Sequence, residues 1–339
     1  VASIIDVARH AGVSVATVSK VINNYPNVSD KTRKKVNASI DRLKYRPNVV
    51  ARGLVKKRSW TVGILLHNMF TNPFVSELLV GIQSSLYNSG YDLIYLSMMM
   101  DDPNYSFIKH CYSRNVDGII VFGLSKENPQ LMNLLAEEIP TMFVDTDLIG
   151  RRAGYITADN SRGIFLAVEH LHRLNHRKIA FITGQMYYVA GRSRFEGYQQ
   201  GIKHFELPYH SNYVAYGDFS KEGAYEAMIN LLKLPEPPTA VICTSDLMAI
   251  GAIEAVEDQG LSVPNDVSVI GFDNTIFAEI VKPGLTTVSQ NVQQMGRTAM
   301  EHLISMIDDP NYSPPVLVQP VELIVRQSTA PIKVNNEPS

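Results

Sequence analysis

Only two cysteines, Cys111 and Cys243, occur in 339 residues, and they stand far apart. Such usage supports neither a disulfide framework nor a metal-type cysteine pair, so both read as buried apolar residues in a reducing setting. No apolar run is long enough to span a bilayer and no lipidation signal is present, which argues against a membrane partner. With no secretory signal ahead of the first residues, the expected location is the cytoplasm. The common catalytic motifs are missing as well: there is no G-x-S-x-G elbow, no G-x-x-x-x-G-K-[ST] phosphate loop and no G-x-G-x-x-G fingerprint. EHLHRLNHRK gathers His170, His172 and His176, but the first two differ by only two helical positions and face different sides. Glu137 with Glu138, and Asp101 with Asp102, are adjacent solvated charges rather than acid/base pairs. The expectation is a protein that is not an enzyme, with no catalytic residue, cofactor or metal.

Acidic residues are scarce in one place. Residues 1–60 hold 13 basic side chains against Asp6, Asp30 and Asp41, a net +10, while the other 279 residues hold 18 basic and 30 acidic, a net −12. A basic head on an acidic body suggests a polyanionic partner for the head, and a nucleic-acid backbone is the obvious one. With 45% hydrophobic residues and 18 prolines spread along its length, the chain has material for more than one core.

The head begins DVARHAGVSVATVSKVINN. Glycine inside a helix costs about 1 kcal/mol relative to alanine, whereas just past a helix end it takes the left-handed conformation readily, so Gly12 reads as a stop. Ser14 then caps a second helix with Val18, Val21 and Ile22 on its apolar stripe, and the small Ala8 and Ala11 allow a close crossing. The pattern fits a helix-turn-helix or an ordinary helical hairpin, and the local charge favours the former. Ser29 caps a third helix, with Val36, Ile40 and Leu43 inward. Beyond Pro47, the stretch VVARGLVKKRS is a marginal helix at best, expected to order only on a partner.

From Thr61 the texture changes. VGILL (62–66), YDLIYL (91–96), GIIVF (118–122) and TMFVD (141–145) form one set of apolar strands; KIAFIT (178–183), NYVAY (212–216), TAVICT (239–244) and DVSVIGF (266–272) form another. Strands apolar along most of their length and alternating with helices imply parallel sheets covered on both faces. Each set opens with a strand, a loop and a helix bearing a glycine, a weak internal echo. Two doubly wound sheets with a cleft between them are expected, with ligands beyond the carboxyl ends of the strands.

DVARHAGVSVATVSKVIN, RPNVVARGL, HLHRLNHRKIAFITG, SRFEGY, TSDLMAIGAIEAVEDQGLSVPNDVSVIGFDN and LTTVSQ together resemble the LacI/GalR family of bacterial transcription regulators. The likeness runs from Ile4 to about Thr329, in order and with similar spacing. It implies a helix-turn-helix headpiece (1–47), a hinge helix and linker (48–60) and a core (61–331) similar to periplasmic sugar-binding proteins. Within that core the first subdomain takes about 61–159 and 291–319 and the second about 160–290 and 320–331, and 332–339 is expected to be a flexible tail. A homodimer or a pair of dimers on a pseudo-palindromic double-stranded operator follows from the same resemblance.

By that resemblance Val15, Ala16 and Lys20 lie where the recognition helix meets base edges. Of these, only Lys20 can donate to guanine O6 and N7, and a phosphate contact or a solvated side chain is its alternative. Leu54 matches the hinge leucine that wedges between base pairs from the minor groove, a role an apolar, bulky side chain fills without asking for hydrogen bonds. Phe74 and Phe219 match positions flanking an effector, and Asp145, Arg194, Ser245, Asp273 and Gln290 match polar positions turned to the cleft. Carboxylates accepting from neighbouring hydroxyls, an arginine donating to another oxygen and an aromatic face on the ring suit a small sugar-like effector. Ordinary core packing for the phenylalanines and an interdomain ion pair for Asp145 and Arg194 are the plainer alternatives. Ser245 stands where several sugar-binding members have asparagine. Arg192 fits either a phosphorylated or acidic sugar or a surface role.

Three functions compete at this stage. The first is a regulator, a repressor of carbohydrate genes, governed by a small effector. The second is a catabolite-control regulator whose core docks a phosphorylated carrier protein. The third, a sugar-processing enzyme, is disfavoured by the basic head and hinge.

Overall fold

The structure, a computed structural model, describes residues 2–23, 25–46, 58–66, 71–87, 89–98, 102 and 104–332. The chain divides after Trp60 into two compact units.

The first unit is a three-helix cluster. Helix α1 (Ile4–Ala11) starts at a capping box: the Asp6 N–H donates to Ser3 Oγ at 3.3 Å, and the Ser3 N–H donates back to the Asp6 carboxylate at 2.9 Å. Gly12 ends it at φ 57°, in the left-handed conformation its position called for. Helix α2 (Val15–Ile22) is capped by Ser14 and α3 (Asp30–Leu43) by Ser29. Val7, Ala8, Ala11, Val18, Val21 and Val36 form the core they share, with Ile22, Ile40 and Leu43 half-buried around it. Of the expected hinge (48–60), residues 48–57 lie outside the described residues, as does Pro47 before it.

The second unit contains two six-stranded sheets. The first runs β11-β5-β4-β3-β1-β2, from β1 (Thr61–Leu66), β2 (Asp92–Tyr95), β3 (Gly118–Phe122), β4 (Thr141–Val144), β5 (Ala153–Ala158) and β11 (Val316–Gln319), all parallel. The second runs β12-β10-β9-β8-β6-β7, from β6 (Ile179–Thr183), β7 (Val214–Tyr216), β8 (Ala240–Cys243), β9 (Ser268–Asp273), β10 (Thr286–Ser289) and β12 (Glu322–Ile324). Its β12 is the exception, pairing antiparallel with β10. Fully buried central strands such as Gly118–Phe122 and Ile179–Thr183 explain the near-continuous apolar runs of the sequence.

Helices α4 (Pro73–Leu86), α5 (Phe107–Ser113) and α6 (Pro129–Leu135) belong to the first lobe; α7 (Asn160–Arg173), α8 (Val189–His204), α9 (Lys221–Leu232), α10 (Asp246–Asp258) and the short α11 (Ile276–Ile280) belong to the second. Helix α12 (Val292–Asp308) follows a strand of the second lobe yet packs on α4 of the first. The glycines of the sequence echo mark close helix crossings: a Cβ on Gly81 of α4 would stand 1.9 Å from the Gln293 carbonyl oxygen of α12, and one on Gly197 of α8 would stand 2.2 Å from that of Ser161 on α7. The chain crosses between the lobes three times, after β5, after β10 and after β11. At the last two crossings Gln319 Nε2 donates to the carbonyls of Gln290 and Asn291. A final strap, residues 328–332, is tied down by Ser328 to Val269, by His170 to Thr329 and by His176 to Ala330.

Candidate functional site

Val15, Ala16 and Lys20 are all exposed on α2, on the side its buried Val18 and Val21 leave free. Lys20 makes no ion pair among the described residues and follows a helix start that carries no acidic residue in its first turn. Leu54 lies outside the described residues.

In the second unit, six of the seven expected effector residues, Phe74, Asp145, Arg194, Phe219, Ser245 and Asp273, line one cavity with an empty volume of about 550 Å³, part of it open to solvent. Asp145, Phe219 and Ser245 stand just beyond the carboxyl ends of β4, β7 and β8 and Asp273 ends β9, while Phe74 and Arg194 lie in α4 and α8, the helices that follow β1 and β6. The strand order reverses between β1 and β3 in one sheet and between β6 and β8 in the other, so the cavity sits at the two switch points. Gln290, fully buried, is absent from the wall and stands behind Asp273, its Nε2 donating to Asp273 Oδ1 at 2.5 Å.

Arg194 is the hub of the polar wall. It is only 3% exposed; its Nε donates to Asn160 Oδ1 at 2.7 Å, its Nη1 donates to the Thr244 carbonyl and lies 3.7 Å from Asp273 Oδ1, and its guanidinium carbon lies 3.7 Å from the centre of the Phe272 ring. Stacking on one face and bonding in plane fits guanidinium chemistry and would not suit lysine. Asp145 accepts from Thr157 Oγ1 at 2.7 Å. Burial pushes the Asp145 carboxyl up from its ordinary value and the Asp273 carboxyl well above it, with the Arg194 charge pulling both back. Beneath them Asp246 accepts from the Thr275 N–H at 2.7 Å, Thr275 Oγ1 at 3.0 Å and Thr287 Oγ1 at 2.5 Å, and burial pushes it up to about 6. Ser245 caps α10, its Oγ accepting from the Met248 N–H at 3.2 Å, which leaves the hydroxyl proton to donate elsewhere.

Three of the wall residues hold left-handed backbone without being glycine: Asp145 at φ 54°, Phe219 at 53° and Asp273 at 115°. Such conformations cost on the order of 1–3 kcal/mol each and cluster where function fixes geometry. Sequence reasoning missed Asn72, Phe122, Gly123, Leu124, Tyr188 and Ala190, which complete the wall. Asn72 carried a usable signal, since it precedes a proline and caps α4 through the Phe74 N–H. Tyr188 carried none; it reaches from the second lobe to the first, its hydroxyl 3.4 Å from the Gly123 carbonyl. Arg192, unassigned from sequence, donates to the carbonyls of Met186 and Tyr187 and is no part of the wall.

Residues 3–48 match the model for bacterial regulatory proteins of the lacI family, and residues 168–329 match the periplasmic binding protein-like domain. Over 329 residues the chain is 35% identical to catabolite control protein A of Priestia megaterium, covering 96% of this chain and 99% of that one. Among solved structures it resembles the lac repressor dimer bound to operator and the anti-inducer ONPF, with a TM-score of 0.84, 29% identity and coverage of 97% and 99%. It also resembles the complex of the transcriptional regulator CelR with cellobiose, with a TM-score of 0.72, 30% identity and coverage of 97% and 100%. With a capped helix-turn-helix at one end and a two-sheet cleft at the other, the chain belongs to the LacI family of bacterial transcription regulators.

Proposed function

We propose that this regulator is a repressor of carbohydrate-related genes that binds a pseudo-palindromic operator as a homodimer and answers to a small sugar-like effector held in the cleft. The observation that carries the effector half is the convergence of Asp145, Arg194 and Asp273 with Phe74 and Phe219 on one cavity between two lobes. Ionised carboxylates accept from vicinal hydroxyls, and aromatic side chains cover the C–H surface of a ring. The resemblance to a cellobiose complex supports the same ligand class. For the headpiece, Val15, Ala16 and Lys20 are assigned to base edges, and Leu54 in the 48–60 hinge to the minor groove; the net +10 of residues 1–60 supplies the attraction for phosphates. An effector spanning both lobes changes operator affinity only by favouring one closure over another.

Calorimetry of the full chain against a panel of sugars, paired with operator gel shifts with and without each sugar that binds, tests both halves. A sugar that binds and changes operator affinity is the expected result. If none binds, the cleft reading falls and the phosphorylated carrier protein becomes the effector to test, a reading the 35% identity to a catabolite control protein supports.

A further inference from the structure

Helix α8 starts without a side-chain cap. Every other helix of eight or more residues among the described ones opens on a Ser, Asn or Asp whose oxygen accepts a backbone N–H of the first turn. At α8 that position is Tyr188, whose side chain makes no such bond. Forgoing a cap is destabilising, and here the side chain at the capping position is engaged elsewhere.

Tyr188 crosses the cleft. Its hydroxyl donates to the Gly123 carbonyl of the first lobe at 3.4 Å, joining the lobes away from their three crossings. The bond is long for an O–H donor, so its worth is no more than that of one neutral hydrogen bond. Gly123 is buried, follows β3 and holds φ 75°, a conformation glycine adopts freely. The Tyr188 ring is half-buried: Phe219 of the cavity wall meets it edge-on at 6.2 Å, and the exposed Tyr187 ring lies 4.4 Å away. It thus stands between the cavity and solvent. Burial pushes the phenol up from its ordinary value, so the hydroxyl keeps its proton to donate.

The arm that carries Tyr188, residues 184–188, is braced within its own lobe. The Tyr188 N–H donates to the Gln185 carbonyl at 3.3 Å, and Gln185 Nε2 donates to Asp218. A Cβ on Gly184 would come within 2.0 Å of the Phe219 ring, and one on Gly191 would stand 2.3 Å from the Gln185 carbonyl oxygen, so the arm lies tight on its surroundings. Arg192 adds an outer brace, its Nη1 donating to the carbonyls of Met186 at 3.2 Å and Tyr187 at 3.0 Å. Its charge also reaches the facing lip of the first lobe. There a hydrogen bond from Ser125, and with less weight the Arg192 charge, hold the Glu127 carboxyl below its ordinary value.

We propose that Tyr188 is a latch across the mouth of the cleft, tying the two lobes together before any effector is bound, and that Arg192 is the positioning residue that holds its arm in place. An effector enters only molecules whose latch is open, so the latch lowers the fraction ready to bind. It acts whatever the chemistry of the effector, since its parts belong to the lobes themselves.

The test reads opening of the cleft from thiol chemistry, in the full-length protein with no effector added. Cys111 and Cys243 are both buried, so neither reacts while the chain is folded. Ser245→Cys places a thiol on the cavity wall, at a position 8% exposed, where fluorescein maleimide arrives only when the lobes part. When opening and closing are fast relative to labelling, the rate follows the open fraction. Adding Tyr188→Phe, which keeps the ring and removes the hydroxyl, should speed labelling by about two- to tenfold, the span of one net hydrogen bond. Arg192→Ala should speed it as well, and should add less than its own effect once Tyr188→Phe is present, since both act on one contact. Mass spectrometry of the labelled peptides should find Cys111 and Cys243 still free. A rate unchanged by Tyr188→Phe overturns the latch and leaves the effector reading standing. Labelling of Cys111 and Cys243 in step with the introduced thiol overturns it too, because the chain is then unfolding and not opening. Full additivity of the two substitutions overturns the role given to Arg192.

Discussion

At the scale of single residues, the cleft shows why the obvious substitution is a poor probe. Arg194 bonds Asn160 and the Thr244 carbonyl and rests on Phe272, so Arg194→Ala would strip a partner from buried Asp273 and empty a packed site. Removing one member of a buried pair costs about 3–5 kcal/mol, and a fall in melting temperature is expected together with any loss of effector response. Asp273→Asn is nearly isosteric and separates the two. It should weaken effector binding by at least about tenfold, the worth of a charge-assisted hydrogen bond, while the melting temperature falls less than in Arg194→Ala because the packing is kept. Burial sets the Asp273 pKa well above 3.8, so its charge is lost on acidification sooner than that of an ordinary aspartate. Effector affinity should therefore fall as pH drops through a window above 3.8, and Asp273→Asn should flatten that fall. Calorimetry from about pH 8 to about pH 5 reads both. An unchanged affinity in Asp273→Asn would remove this carboxylate from the effector site.

At the scale of elements, what the sequence made legible followed burial. Strands covered on both faces, such as β1, β3, β4 and β8, announce themselves as unbroken apolar runs. Strands β5, β10, β11 and β12 did not: Ala153–Ala158 mixes glycine with threonine, Thr286–Ser289 buries hydroxyls, and Val316–Gln319 and Glu322–Ile324 are short edges with alternate residues exposed. The polar corner of the cleft came from family resemblance, because left-handed turns at non-glycine residues are uncommon and nothing in the sequence marks Asp145, Phe219 and Asp273, among the other aspartates and phenylalanines, as the ones that hold them. The helix-bearing glycines, by contrast, had a visible spacing whose reason is close backbone approach. Gly81→Val should cost about 1–3 kcal/mol by overpacking against the Gln293 carbonyl, measured by denaturant unfolding. The C-terminal strap makes a different prediction. His170 and His176 are both lowered from 6.5, chiefly by burial, and hold Thr329 and Ala330. Since their folded pKa values lie below the unfolded one, the stability they lend is full above about pH 6.5 and is lost as pH falls below it. The protection of residues 328–332 against hydrogen exchange, corrected for the pH dependence of the intrinsic rate, should fall on mild acidification, and His176→Gln should remove most of that pH dependence.

At the scale of the whole molecule, the division of charge and of structure coincide at Trp60. A fragment starting at Thr61 is expected to fold and to bind effector, yet to show no specific operator binding in gel shifts. The intact chain should lose operator affinity steeply with salt, by about three orders of magnitude or more between 50 mM and 200 mM if six or more phosphates are met. Retained specific binding by the fragment would sink the assignment of the headpiece. The three crossings between lobes carry a consequence for how the molecule is made. Helix α12, which runs over Leu78 and Ile82 of α4, is translated only after every strand of the second sheet except β12. The lobe that leaves the ribosome first therefore waits for a helix made after most of the second lobe, and a nascent chain paused short of Val292 carries a bare apolar helix face, a place for chaperones to hold and for aggregation to start.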